Sequence, residues 1–277
     1  MSHTLRLGVL RLTDSAPALV AQAQNLFVQA GVSVALQVEP SWANLADKLA
    51  FGGLDAAIML APLALAAHAG TRGPRLRVRL PIGISRGGTS IVVRPGFAEH
   101  IKQRPAPTRF AAVHYQSTHH LLLRQWFAQS GIQGEIVVVP PDRVVQELQS
   151  GAIMGFCAGA PWGDLAASTG AGEIISGSAR LRPRHLEKVL ALTEAAITRD
   201  PGAADDVSAV LAASFDLPRE ILRMAFAGSN SCETISFSAA ARLDYEEIKK
   251  LINEMVTNAM LAPDQAALIS QEILWPV

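Results

Sequence analysis

"EPSWANLADKLAFGGLDAAIMLAP" (Glu39–Pro62) sets a helical run against an apolar strand within one short stretch. Ser41 is placed to cap a helix over Trp42–Phe51, and Leu54–Leu60 follows as a short buried strand. Upstream, Leu5–Leu10 reads as a buried strand. Ala16–Ala30 reads as an amphipathic helix with Leu19, Val20, Ala23, Leu26 and Phe27 on one face, closed by Gly31. Val32–Val38 alternates as a strand does. The segment is therefore strand-helix-strand-helix-strand, which implies a parallel sheet with right-handed crossovers.

The layout recurs. Arg109–His114 reads as a strand, His119–Gln129 as a helix closed by Gly131, and Glu135–Val139 as a strand stopped by Pro140-Pro141. Val144–Gln149 is the next helix, and Ile153–Cys157 the next strand. "GLDAAIMLAP" answers "GAIMGFCAGAP", Gly31 answers Gly131, and Pro40 answers Pro140. Such repetition predicts two similar α/β lobes. Leu76–Ile84 and Ser90–Val93 are strand-like and would carry the chain across; Val189–Ile197 would carry it back. The expected division is residues 1–84 with 190–277 in one lobe and 85–189 in the other. Asp205–Leu274 reads as mostly helical. "DYEEIKKLINEMVTNAML" has the clearest helical period, and "LPREIL" and "APDQAAL" are marked as helix starts by proline.

Composition narrows the function. The 277 residues are 49% hydrophobic and 17% charged, with a formal net charge of zero. That builds a large core and argues against nucleic acid or an anionic membrane as the main partner. Cys157 and Cys232 form no disulfide framework and no metal-ligand spacing. No run reaches membrane-spanning length, and "MSHTLRLGVL" lacks the apolar core of an export signal. The expectation is a cytoplasmic protein, or a periplasmic one if the native N-terminus is longer. No cofactor motif is present; Gly87-Gly88 is a turn pair without a phosphate-loop lysine.

In open α/β sheets, ligands sit beyond the carboxyl ends of the strands. Thr13-Asp14-Ser15, Ser41-Trp42, Ala61-Pro62, Ser117-Thr118-His119 and Ala160-Pro161-Trp162 all fall there. Most are helix starts, whose free N–H groups and positive dipole ends suit a small anion. Each residue also has a plainer reading. Trp42 by itself reads as core, His119 and His120 as cap or surface residues, and Asp14 and Asp55 as turn residues. Trp162 divides evenly between cleft wall and packing. Trp126 reads as core, Cys157 as a small hydrophobe, Arg182 and Arg184 as exposed charges, and "RGPRLRVRL" as the solvated face of a strand.

"LTDSAPALVAQAQNLF", "EPSWANLADKLAFGGLDAAIMLAPLALA", "THHLLLRQW" and "VVPPDRVVQELQSGAIMGFCAGAPW" resemble the nitrate-binding family. That family holds the solute receptors of nitrate and bicarbonate transporters, and a cytoplasmic nitrate and nitrite sensor that controls an RNA-binding antiterminator. The resemblance implies a two-lobed type II periplasmic-binding-protein-like fold with a ligand cleft, and no enzyme activity. It implies that Trp42 and His119 line the pocket and that Gly155–Trp162, Gly159 included, forms the loop over it. Departures are Ala160 where an acidic residue is usual and Gly163 where asparagine is usual. The family's usual lysine falls in register near Pro183 or Arg184, so either Arg182 or Arg184 supplies the charge or the ligand is not nitrate. The expected ligand-binding set is Trp42, His119, Thr13, Ser15, Ser117, Thr118, Gly159 and Arg184. The implied function is cytoplasmic sensing of a small anion, nitrate or nitrite. The alternatives are the solute-binding component of an ABC transporter, with a permease as partner, and an enzyme of thiamin-pyrimidine-synthase type.

Overall fold

The computed structural model describes residues 3–71, 73–99, 108–216, 235–236 and 243–275. Twelve strands are named here in chain order. β1 (Leu5–Val9), β2 (Val34–Val38), β3 (Ala56–Leu60), β4 (Val78–Arg79) and β5 (Gly83–Gly87) come first. β6 (Thr89–Val93), β7 (Thr108–Ala112), β8 (Gly134–Val138), β9 (Gly155–Gly159) and β10 (Glu173–Gly177) follow. β11 (Leu186–Thr193) and β12 (Ile235–Ser236) complete the set.

They form two sheets, one per lobe. The first runs β12-β5-β11-β3-β1-β2, with β4 also on β11; the second runs β10-β6-β9-β7-β8. In each, the first strand of the repeated unit is central. β1 lies parallel between β2 and β3, and β7 lies parallel between β8 and β9. In each, the next strand outward is antiparallel and comes from the chain as it crosses between lobes: β11 beside β3 and β6 beside β9. The repeated layout in the sequence thus folds into repeated sheet topology, a mixed α/β, two-lobed architecture.

The chain leaves the first sheet at Gly87 and enters the second at Thr89. Gly87 and Gly88 both have left-handed backbones (φ 69° and 74°). A side chain is strained there, so the glycine pair makes this abrupt crossing possible. The return falls between Gly177 and Leu186.

Several elements differ in extent from the sequence reading. The expected Ala16–Ala30 helix is two, Ala16–Ala23 and Leu26–Gln29, because Asn25 turns left-handed at φ 56°. Leu76–Ile84 splits into β4 and β5 around Pro81, which has no N–H to give to a ladder. The return strand begins at Leu186, earlier than the sequence suggests, and stops at Thr193. There the Thr193 hydroxyl caps a helix over Glu194–Arg199, accepting from Ala196 N at 3.1 Å. The "DYEEIKKL" period is realised as the helix Tyr245–Thr257, with Ile248, Leu251, Ile252 and Met255 buried. "APDQAAL" opens a short helix at Pro263; "LPREIL" lies outside the described residues.

The hydrophobic core does not stop at the lobe boundary. One cluster joins Trp42, Leu45 and Leu63 of the first lobe to Val113, Leu121 and Phe156 of the second. A backbone bond from Thr13 N to the Ala160 carbonyl, 3.1 Å, also links the two. Cleft-facing surface is thereby removed from water, which is the closed arrangement of a two-lobed fold. Among the described residues, no helix is long and apolar enough to cross a membrane.

Candidate functional site

Side chains from both lobes meet at a buried charged cluster where the chain returns to the first sheet. Lys188 on β11 lies at its centre, with no exposed surface. Its Nζ is 2.6 Å from Glu187 Oε1 and 3.3 Å from Asp14 Oδ2. The ring of Trp42 lies on another side, its centroid 5.4 Å from Nζ, within cation–π range. From the second lobe, His119 places Nε2 3.1 Å from Glu187 Oε1, without hydrogen-bond alignment. Thr118 Oγ1 donates to Glu187 Oε2. His185 Nε2 lies 2.7 Å from that same oxygen. Glu187 is thus shared by donors from both lobes.

Local sequence explains these placements. Ser117 accepts from His120 N at 3.1 Å and donates to the His114 carbonyl at 2.5 Å, which starts the helix Thr118–Ser130 at the lobe interface. Thr118 and His119 are the first residues of that helix, so both face the first lobe. Ser41 does the same for Trp42, accepting from Asn44 N at 3.1 Å. Glu187 and Lys188 are adjacent in β11, and neighbours in a regular strand face opposite ways. Here the pairing with β5 slips: Leu186 pairs with Arg86, Lys188 with Ser85, and Val189 with Gly83. A bulge of this kind re-aims side chains locally.

The electrostatics follow from burial and proximity. Burial opposes charge on Lys188, but Asp14 and then Glu187 hold its pKa above the ordinary lysine value. Burial likewise opposes charge on Glu187, yet Lys188 above all, with the bonded His185, holds its carboxyl well below the usual range. His119 is fully enclosed, and burial lowers its pKa against the pull of Glu187, favouring the neutral ring. The Cys157 thiol is pushed well up by burial and stays neutral, which suits a small hydrophobe and not a nucleophile.

A cradle opens beside these charges at Gly159. A methyl group built there would meet Asp14 Oδ2 at 3.6 Å, His119 Nε2 at 3.8 Å and Lys188 Nζ at 3.9 Å. Those are ordinary contact distances, so the end of β9 leaves room for a methyl-sized group against a carboxylate, an imidazole and an ammonium; the expected loop over Gly155–Trp162 is a strand as far as Gly159. Trp42 Nε1, Thr13 Oγ1, Thr89 Oγ1 and Ser85 Oγ are buried and make no hydrogen bond among the described residues. Each belongs to a residue next to, packed on, or paired with a member of the cluster.

The structure brings together Trp42, His119, Thr118 and Gly159. Thr13 adjoins Asp14 and is fully buried. Ser15 is buried but makes no side-chain cap bond, and Ser117 acts through the helix it starts. Arg184 is not brought in. It is exposed, in a left-handed turn at φ 57°, on a groove outside the cluster shared with Thr118 and His185. Arg182 pairs with Glu254. The cation at the cluster is Lys188, and with it stand Glu187, His185 and Asp14, which sequence reasoning did not select. "HLEKV" held the signal: a charged pair set in front of a fully apolar strand. Asp55, read as a turn residue, bonds Arg6 and Arg199 at 2.8–3.0 Å on the far side of the first lobe. Trp126 packs with Phe97, Phe110 and Phe127 as core.

A family model described as the NMT1-like family matches residues 2–226. The nitrate import ATP-binding protein NrtC of Synechocystis sp. is 34% identical over 216 residues, which are 71% of this chain and 32% of that protein. The nitrate/nitrite binding protein NrtA of Synechococcus elongatus is 30% identical over 225 residues, 71% of this chain and 51% of that protein. The chain therefore spans about a third to a half of the relatives it matches. Among solved structures, the periplasmic nitrate-binding protein NrtA from Synechocystis superposes with a TM-score of 0.85 at 19% identity, covering 96% of this chain and 85% of that one. The alkanesulfonate-binding protein SsuA from Xanthomonas axonopodis superposes with a TM-score of 0.75 at 15% identity over 100% of both chains. At these identities the likeness shows the fold, a periplasmic-binding architecture.

Proposed function

Because the chain belongs to the NMT1-like family, we propose that it is the solute-binding module of an ABC import system, enclosing a small oxyanion of the nitrate type between its lobes. The observation that carries this reading is Lys188: a fully buried ammonium at the lobe interface, flanked by the Trp42 ring, His119 and the Gly159 cradle. Charge is removed from water only where it is matched, and a lysine at the meeting of two lobes is a charge that an enclosed anion can share. Buried hydroxyls and ring N–H groups around it offer donors that an all-acceptor ligand requires. The relatives are named as transport components, which favours an import machinery over an RNA-binding antiterminator as the partner. A location outside the cytoplasm accords with the periplasmic neighbour.

A second reading, sensing rather than delivery, is favoured by one observation. Identity is higher to the import ATP-binding protein, 34%, than to the binding protein, 30%. On this reading the chain would act on an import ATPase in response to the anion. Nitrate-dependent change in ATPase rate on adding the chain to inside-out vesicles would support it.

The binding test is calorimetry and thermal shift with nitrate, nitrite and sulfate. A ligand at a hundred times its Kd adds about 2.7 kcal/mol to the folded state, a shift readily seen in the melting temperature. Absence of any oxyanion-dependent shift would overturn the reading.

A further inference from the structure

The charged cluster has a balance that an incoming anion upsets. Two carboxylates, Asp14 and Glu187, surround Lys188. His185 adjoins them, its Nδ1 3.0 Å from the Arg182 carbonyl and its Nε2 2.7 Å from Glu187 Oε2. The lysine is thus already matched by carboxylates, and a monovalent anion beside Gly159 adds buried negative charge that needs a further positive partner.

His119 is the base in that set whose ring nitrogens are left without hydrogen bonds. Its side chain is 1% exposed, and neither ring nitrogen makes a hydrogen bond among the described residues. The charged and titratable groups around it are Glu187, Lys188 and His185 from β11, Asp14 across the Gly159 cradle, Cys157 from β9, and His120 and Arg124 on its own helix. Cys157 is a neutral thiol and already holds its proton. The His120 ring packs on Tyr115, with centroids 5.7 Å apart.

We propose that the oxyanion is bound together with one proton, taken from solvent by His119. The step is an addition: neutral imidazole, one proton and one anion give an imidazolium–anion pair enclosed with the Lys188 cluster. No bond is broken, and total charge is conserved because anion and proton enter as a pair. The Nε2–H of the imidazolium then lies by both Glu187 Oε1, 3.1 Å away, and the position beside Gly159, so the two negative groups meet the same edge of the ring. In effect the module captures the conjugate acid of its solute, assembled in place. This rests on the oxyanion reading above and deepens it.

The test is calorimetry with nitrate and with nitrite on the full chain. Titrations at one pH in imidazole and in Tris, two buffers without an oxyanion, separate the heat of buffer deprotonation, which gives the number of protons taken up. One proton per anion is expected. Affinity should weaken by about tenfold per pH unit once the pH is above the free imidazole value, since a ligand that binds with a proton is favoured at low pH. The His119→Gln protein keeps a donor at that position and cannot be protonated. It should bind with a flat pH profile and no proton uptake. If that variant does not fold, the proton count of the parent protein decides alone. Binding by the parent with no proton uptake would overturn the proposal while leaving the oxyanion reading standing. A variant that keeps the parent's pH slope would overturn the assignment to His119. No binding at any pH would remove both the proposal and the oxyanion reading.

Discussion

Replacing Lys188 with methionine keeps most of the side-chain bulk and deletes only the ammonium. In the parent, Nζ lies 2.6 Å from Glu187 and 3.3 Å from Asp14, with no exposure on the lysine. Its loss leaves two buried carboxylates facing a hydrophobic group. Removing one partner of a buried pair costs about 3–5 kcal/mol. For a chain of this size that lowers the melting temperature on the order of 10 °C. The sign of the pH dependence is fixed. In the parent, Glu187 has a depressed pKa. Its stabilising contribution is therefore complete above its ordinary value of 4.5 and is lost as the pH falls below it. In the variant, burial acts on Glu187 with far less opposition, so its pKa rises and protonation relieves the strain. The deficit should be large at pH 7 and smaller at pH 5. Urea unfolding of both proteins at the two pH values measures it. Equal stability at pH 7, or a deficit unchanged at pH 5, would refute the account of Lys188 as the counter-charge of Glu187 and Asp14.

Gly159→Ala should leave the melting temperature nearly unchanged, because the new methyl meets its neighbours at 3.6–3.9 Å, yet abolish oxyanion binding by filling the cradle; wild-type affinity in calorimetry would show that the ligand sits elsewhere. Ser117→Ala removes a cap and a buried hydroxyl that makes two bonds, and should cost about 1–2 kcal/mol in chemical denaturation. Asp55→Asn should flatten the acid limb of the stability curve. The Asp55 carboxyl is held well below its ordinary value, against burial, by Arg6 and Arg199. Its contribution is present above about pH 4 and lost as pH falls, so parent and variant should converge in melting scans toward pH 3.

The lobes were legible because repetition and period are carried by many residues at once. A strand-helix-strand-helix-strand layout marked by Gly31 and Gly131 survives errors of a few residues at each boundary. The crossing near Gly87-Gly88 was legible as a turn between two strand-like runs that carry the chain across, but not which sheet each run joins, since local chemistry does not say. The site was legible in half. Thr118 follows a serine at a strand end, a local signal, whereas Trp42 and His119 by themselves read as core and as a cap, and only the family resemblance marked them. Lys188, Glu187 and His185 are not found that way. A charged pair reads as solvated by default, and only tertiary closure makes it buried. Arg184 drew the expectation of positive charge because register was carried over a segment where the strand begins earlier than its apolar run.

The slip between β5 and β11 has a further consequence. On β11, Glu187 is surplus between the pairs Leu186–Arg86 and Lys188–Ser85; one step on, Ile84 is surplus on β5 before Val189 meets Gly83. The two irregularities have opposite sense and cancel, so the ladder resumes in its former alignment while β11 pairs evenly with β3 from Lys188 to Leu192. The two residues that hold the charge sit in a self-cancelling detour. A change of side chain there leaves the register of the strands on either side as it is, whatever it costs the buried charges. Deleting Glu187 alone would instead leave Ile84 unanswered and turn every later residue of one strand to the wrong face. The sheet thus tolerates new chemistry at this point and resists any change of length there.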